Sequence, residues 1–145
     1  MALSLVESLY QGLHDANICV DDVPLRDVVA MSMPDGWTAI DTARIETRAE
    51  EAVALAHEFG HHKTDSFYNN YSGFDVRAKH EYAADKWAVQ HLLAPDRLQT
   101  AISNAYISLH DLAEYFDVTP AFVSRAFDIY NRMGIRFDFP DLYPA

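Results

Sequence analysis

Residues 57–61 read HEFGH, with two histidines four positions apart and a glutamate directly after the first. Residues four apart lie on the same face of an α-helix, so both imidazoles can reach one metal ion from a helix. Glu58 lies beside the first histidine, where its carboxylate can reach a metal-bound water without ligating the metal. The motif therefore requires a helix. The capping-box pattern TRAE, residues 47–50, predicts that this helix begins there and ends near His62.

A third ligand is needed, because a catalytic zinc ion usually has three protein ligands and one open position. Glu81 follows His61 after nineteen intervening residues, within the stretch EYAAD, and Asp85 lies four residues further on. A second long helix is predicted over residues 76–93, which places both carboxylates on one face. Glu81 can then ligate the metal, while Asp85 accepts the free N–H of a ligating histidine.

Each of these residues also has a plainer interpretation. His57 and His61 can cap a helix or face solvent, and Glu81 alone would be interpreted as an exposed helix carboxylate. Asp85 can form an ordinary surface salt bridge with Arg77 or Lys79. Taken together at this spacing, the four residues favour a metal site.

The rest of the chain predicts a mostly helical α+β fold with a small antiparallel sheet. An amphipathic helix is predicted over residues 3–13, and the strands VVAMSM and WTAID flank the turn tripeptide PDG. Residues 63–75 are predicted to be a loop, and two or three shorter helices between Pro95 and Gly134 precede an extended tail. We expect one domain over residues 1–145. Within it, the hairpin and metal helices occupy residues 25–95, and a helix-turn-helix-like unit occupies residues 103–133.

The helix-turn-helix-like unit begins at Leu112 in the stretch LAEYFDVTPAFVSRAF. Thr119 and Pro120 suit the N-cap and first position of its second helix. A DNA reader places polar and basic side chains at that helix start, whereas here Arg125 is the first basic residue. Between residues 106 and 132 four acids accompany two arginines, a local net charge of −2. The unit is therefore expected to pack against the metal helices or to bind a protein partner.

Charge and cysteine content narrow the function classes further. The net charge is −11, which disfavours nucleic acid and anionic membrane surfaces as partners, because both are bound mainly by Lys and Arg. No apolar run approaches the roughly 20 residues that a membrane helix needs. The start MALSLVESLY has no basic leader, and the single cysteine, Cys19, cannot form an internal disulfide. A cytoplasmic location is expected.

The two metal helices carry a family resemblance. The stretches ALAHEFGHHKTDSFYNNYS and RAKHEYAADKWAVQHLLAP resemble the ImmA/IrrE family of small bacterial and phage-associated zinc peptidases, within the broader gluzincin pattern. The resemblance implies a zincin-like fold, a bound Zn²⁺ with His57, His61 and Glu81 as ligands, and Glu58 as the catalytic residue. It also implies a protein substrate, a helix-turn-helix repressor of a phage or mobile element. At the position of Asp85 the family often has Asn.

A zinc endopeptidase also needs a donor for the oxyanion that develops on the peptide carbonyl. Tyr68, Tyr71 and His80 are candidates, because they lie in or near the loop between the metal helices, although each also suits a structural role. His62 points about 100° away from His61 around the helix and is not expected to ligate. By analogy with other zinc peptidases, the strand GWTAIDT is expected to offer an edge to an extended substrate.

The competing hypothesis is a non-catalytic module, either a zinc-containing protein-binding module or a helix-turn-helix regulator. A structural zinc usually has four protein ligands, often thiolates, and no cysteine lies near this motif. The open coordination position and Glu58 therefore favour the enzyme.

We predict that the purified chain carries one divalent metal ion, held by His57, His61 and Glu81. The ligand set fits zinc, although manganese or nickel could replace it in preparations. The expected result of elemental analysis on untagged protein is about one equivalent of metal per chain. A content well below half an equivalent after zinc has been offered would contradict the predicted site.

Overall fold

The computed structural model describes residues 2–69 and 71–140. Its described part has six α-helices, three strands and a short 3₁₀ helix at Thr42–Arg44, which confirms the α+β expectation. The helices are α1 Leu5–Asp15, α2 Arg48–Thr64, α3 Phe74–Leu92, α4 Pro95–Ser103, α5 Leu109–Phe116 and α6 Pro120–Arg132; the strands are β1 Cys19–Asp22, β2 Ala30–Met33 and β3 Trp37–Ile40. None of the helices in these two ranges has the length and apolar character needed to cross a bilayer.

The sheet differs from the expected antiparallel hairpin in two respects. The hairpin itself is present, since β2 pairs antiparallel with β3, but β1 pairs parallel with β3 on its other side. The strand order is β1-β3-β2, so the sheet is mixed and β3 is its central strand. The prediction that β3 offers a free edge is therefore wrong, and the outer strand of the hairpin is β2.

Strand β1 was missed because its sequence, CVDD, lacks the apolar alternation that marks a half-buried strand. Its two acids find specific donors in the fold. Asp21 accepts a hydrogen bond of 2.6 Å from the indole N–H of Trp37, and Asp22 accepts from both the backbone N–H and the hydroxyl of Thr42. Tertiary partners, rather than the local pattern, therefore make this segment a strand.

Helix α2 begins where the capping pattern places it. The side chain of Thr47 accepts a hydrogen bond of 3.1 Å from the backbone N–H of Glu50. The carboxylate of Glu50 accepts a hydrogen bond from the backbone N–H of Glu46. In the usual capping box the carboxylate would accept from the backbone N–H of the N-cap residue, which here is Thr47. The helix ends at Thr64, and Asp65 follows in the left-handed conformation, at φ 49°. The expected helix is confirmed and extends two residues beyond His62.

Helices α2 and α3 are in tight contact at Gly60. A methyl group at this position would lie 3.0 Å from the carbonyl carbon of Ala84 and closer still to its oxygen. Both Gly60 and Ala84 are buried. Since Gly60 lies within the HEFGH motif, the helix that carries both histidines can pack directly on the backbone of α3.

The C-terminal helices form the expected helix-turn-helix-like unit. α5 ends at Phe116, Asp117 adopts the left-handed conformation at φ 58°, and the side chain of Thr119 caps α6. One apolar cluster joins this unit to the metal helices; it includes Leu13, Leu55, Val89, Ile102, Leu112, Val123 and Tyr130. Residues 135–140 contain neither helix nor strand, as expected, and the rest of the predicted extended tail lies outside the described residues.

Gly60→Ala should destabilise the fold by roughly 1–3 kcal/mol, because the added methyl must push α2 and α3 apart. Chemical denaturation followed by circular dichroism measures this change. Gly73→Ala is the matched control, since a methyl at Gly73, just before α3, meets no atom within 4 Å. Equal unfolding midpoints for the two variants would show that the contact at Gly60 is not restrictive.

Candidate metal centre

Three of the predicted residues converge at the face where α2 meets α3. The Nε2 atoms of His57 and His61 are 3.2 Å apart. Glu81, which comes from α3, lies 2.6 Å from His57 Nε2 through one carboxylate oxygen and 3.3 Å from His61 Nε2 through the other. The group is able to hold a metal ion, since one ligand atom from each residue lies within 4.8 Å of the other two.

Hydrogen bonds fix the tautomers of both histidines. Asp85 Oδ1 lies 2.7 Å from His57 Nδ1, and the carbonyl oxygen of Ser66 lies 2.5 Å from His61 Nδ1. A carbonyl oxygen and an ionised carboxylate can only accept, so each Nδ1 carries the hydrogen. Both rings therefore direct Nε2 toward the point where His57, His61 and Glu81 meet. Asp85 thus contacts a candidate ligand through Oδ1, and its other oxygen, Oδ2, accepts a hydrogen bond from Arg125.

Burial and hydrogen bonding act in opposite directions on the pKa values of the titratable groups in this centre. Burial opposes the charged form of His57, but its hydrogen bonds to Asp85 and Glu81 prevail and raise its pKa to about 10. Burial likewise acts to raise the pKa values of Glu81 and Asp85, yet hydrogen bonds from His57 hold both pKa values below their ordinary range. His57 thus lies between two carboxylates, with Glu81 at Nε2 and Asp85 at Nδ1.

The donor set fits zinc. Bonds of about 2.0–2.1 Å in a tetrahedron place the ligand atoms roughly 3.3 Å apart. The separations of His61 Nε2 from His57 Nε2 and from Glu81 Oε1, 3.2 and 3.3 Å, agree with that spacing. The remaining separation, between His57 Nε2 and Glu81 Oε2, is shorter, at 2.6 Å. Two imidazoles and one carboxylate suit zinc among the common metals.

Glu58 is buried beside the three candidate ligands and is fixed by a chain of hydroxyl groups. Ser32 of β2 donates to Glu58 Oε1 over 3.0 Å, and Thr38 of β3 lies 2.8 Å from Ser32. Each hydroxyl has one hydrogen, and Ser32 uses its own in the bond to Glu58. Thr38 therefore donates to Ser32 and accepts a hydrogen bond from His62 Nε2, 2.8 Å away. Burial raises the pKa of Glu58. The carboxylate is therefore oriented by the sheet and has an increased affinity for a proton.

The three oxyanion candidates are placed very differently. The hydroxyl of Tyr68 donates to Glu81 Oε1 over 2.6 Å, and this hydrogen bond, with partial burial, raises its pKa to about 12. Tyr71 is 96% exposed. His80 is half-buried, with its ring centroid 6.5 Å from that of Tyr68. Only Tyr68 is brought to the candidate ligands.

An open cleft of about 1050 Å³ exposes this centre. Its lining includes His57, Glu58, His61, Glu81, Asp85 and Tyr68, together with all four residues of β2. Neither Tyr71 nor His80 lines it. Exposed apolar side chains on β2 and in the segment before it, among them Val28, Met31 and Met33, make one rim of the cleft apolar.

Several polar contacts of the centre were not predicted. Ser32 and Thr38 hold Glu58 from the sheet, Ser66 holds His61 from the loop after α2, and Arg125 of α6 donates to Asp85 Oδ2 over 3.1 Å. The one signal in the sequence was the pair of hydroxyl residues that face each other across the hairpin, Ser32 and Thr38. The other contacts depend on where distant segments pack.

The profile of the family Peptidase_M78, described as the IrrE N-terminal-like domain, matches residues 43–128. The matched region begins just before α2 and ends within α6, so it contains all three candidate ligands, Glu58 and Asp85. No curated protein and no solved structure gives a significant match to the chain.

Zinc binding at pH 7 should release about one proton from His57, because only its neutral form offers Nε2 to a metal. The pKa of His57 in the metal-free protein is about 10, so zinc affinity should rise as the pH increases from 7 toward 10. Calorimetric titrations in two buffers with different enthalpies of ionisation measure the proton released. An affinity independent of pH over this range would contradict the protonated state of His57.

Proposed function

The chain belongs to the Peptidase_M78 family, and from this premise we propose that it is a zinc-dependent endopeptidase that cleaves another protein. The observation that carries the proposal is the convergence of His57, His61 and Glu81 beside the buried carboxylate of Glu58. In the proposed site the zinc has three protein ligands and faces the open cleft, which is typical of catalytic rather than structural zinc.

The proposed mechanism divides the work between zinc and Glu58. Bound zinc supplies Lewis acidity, which makes water more acidic and polarises a peptide carbonyl. Glu58 accepts the proton of the attacking water and transfers it to the leaving amine. Its burial supports this role by raising the pKa of the carboxyl group, and the hydrogen bond from Ser32 fixes the orientation of Oε1.

We assign Tyr68 the role of oxyanion donor. Its pKa of about 12 keeps the phenol protonated at neutral pH, so the hydroxyl remains a hydrogen-bond donor. This hydroxyl donates to Glu81 Oε1, so it lies beside a candidate ligand. Tyr68 also lines the cleft, so its hydroxyl would be within the space that a substrate carbonyl enters.

The substrate is proposed to bind as an extended strand along β2. This outer strand lines the cleft, and its Ser32 touches Glu58, so a segment paired with β2 passes close to the catalytic carboxylate. The exposed Met31 and Met33 on β2 favour a substrate with apolar side chains.

The proposed target is a cytoplasmic helix-turn-helix repressor of a phage or mobile element. The resemblance to the ImmA/IrrE family supports this target class. The net charge of −11 is compatible with a basic, DNA-binding protein as the partner. A location in the cytoplasm agrees with the free cysteine, Cys19.

Two substitutions separate ligation from catalysis. Glu58→Gln keeps the shape of the side chain but removes the basic carboxylate, so zinc content and folding should hardly change. Cleavage of the target repressor should fall by about 10²–10⁴-fold, the contribution of a positioned general base. Glu81→Gln should instead weaken zinc binding and lower the Tm in proportion to the metal lost.

The measurements are repressor cleavage on gels, zinc content and thermal unfolding. Glu114→Gln, at an exposed position of α5, is the control that removes a carboxylate far from the centre. Wild-type cleavage by Glu58→Gln would refute its role as the base. A wild-type chain that binds zinc and the repressor without cutting it would favour the non-catalytic binding module.

A further inference from the structure

Arg125 connects the C-terminal helices to the candidate metal centre. Its Nε donates to Asp85 Oδ2 over 3.1 Å, while Asp85 Oδ1 accepts from His57 Nδ1 over 2.7 Å. The line Arg125–Asp85–His57 thus runs from α6 through α3 to a candidate ligand on α2. Arg125 is the first basic residue of the helix that would read DNA in a helix-turn-helix protein, but here its guanidinium binds a carboxylate of the chain itself.

The two hydrogen bonds leave Asp85 little rotational freedom. Each carboxylate oxygen has one partner, and the two partners lie on different helices. Rotation of the carboxylate would break at least one of these bonds. A histidine whose Nδ1 is held by a fixed acceptor presents Nε2 in one direction, and such outer contacts are known to tune metal affinity. The orientation of His57 therefore depends on where α6 lies.

A second arginine on α6 provides an internal comparison. The guanidinium carbons of Arg125 and Arg132 lie 5.6 and 5.5 Å from the centre of the Tyr82 ring on α3. Both side chains therefore help to hold α6 against α3. Of these two arginines, it is Arg125 that forms the ion pair with Asp85.

We infer that Arg125 is a positioning residue of the metal centre, through which the helix pair α5–α6 sets the affinity for zinc. This inference rests on the metal site of the proposed function. Coupling between two sites is reciprocal, so bound metal also strengthens the packing of α6 against α3. A protein that displaces α6 would weaken zinc binding without touching any ligand.

The test compares Arg125→Met with Arg132→Met in the full chain. Methionine keeps much of the aliphatic stem but removes the charge and the donors, so both variants lose the same contact with Tyr82. Competition with a chromophoric chelator measures zinc affinity. Arg125→Met should bind zinc about 10-fold more weakly, at the lower end of the effect of removing an outer partner, whereas Arg132→Met should bind like the wild type.

A spectroscopic signal follows the orientation of His57 directly. In the zinc-bound protein the Nδ1–H proton of His57 is held by Asp85, and its NMR resonance should be sharp. The resonance should broaden in Arg125→Met, because the carboxylate is free to rotate and solvent exchange is faster, and should stay sharp in Arg132→Met. Arg125→Lys keeps the charge and has three N–H donors on its ammonium group, so it should bind zinc almost as tightly as the wild type.

The substitution Asp85→Asn tests the route of the effect. If Arg125 acts through Asp85, adding Arg125→Met to Asp85→Asn should weaken zinc binding much less than Arg125→Met does alone. Equal zinc affinities of Arg125→Met and Arg132→Met would overturn the inference. A higher zinc affinity of Arg125→Met would also overturn the inference. The main effect of the Arg125 charge would then be to repel zinc, not to position His57. A wild-type chain that binds no zinc would overturn the proposed function as well.

Discussion

The contact between Gly60 and the backbone of Ala84 determines how the candidate site is assembled. The residues of the centre lie on two helices, His57, Glu58 and His61 on α2 and Glu81 and Asp85 on α3. Their side chains meet only if the helix axes approach closely, and a glycine at the crossing permits this approach. The motif HEFGH thus contains both the candidate ligands and the residue that allows the second helix to reach them.

Three polar side chains of α2 are held by three different parts of the chain. Asp85 of α3 holds His57, Ser32 of β2 holds Glu58, and the carbonyl of Ser66, in the loop after α2, holds His61. This arrangement orients each group before any ligand arrives, as catalysis by a metal centre requires. The sheet, small as it is, contributes to the candidate site by orienting a carboxylate.

Local signals account for what the sequence predicted correctly. The caps at Thr47 and Thr119 and the four-residue spacings of the metal motif are all readable over a few neighbouring residues. Because α3 is a long, regular helix, the four-residue spacing between Glu81 and Asp85 places both side chains on the face that meets His57.

Pairings between distant segments account for what was missed. β1 is a strand because its acids meet Trp37 and Thr42, and its pairing with β3 decides that β2 is an outer strand. The acidic residues near Arg125 in the sequence indicated that its helix does not bind DNA. The partner of Arg125, Asp85, lies 40 positions away in the sequence. Contacts at such separation depend on the packing of the whole chain, which no local pattern encodes.

The outer position of β2 also affects how copies of the protein behave toward each other. An outer strand with exposed methionines can pair with the same strand of another copy, which is a common first step of aggregation. Here the strand has only four residues, and Pro34 follows it, which limits how far such pairing can extend. At a net charge of −11 two copies also repel each other at neutral pH. The acidity of the chain thus favours colloidal stability despite the outer position of β2.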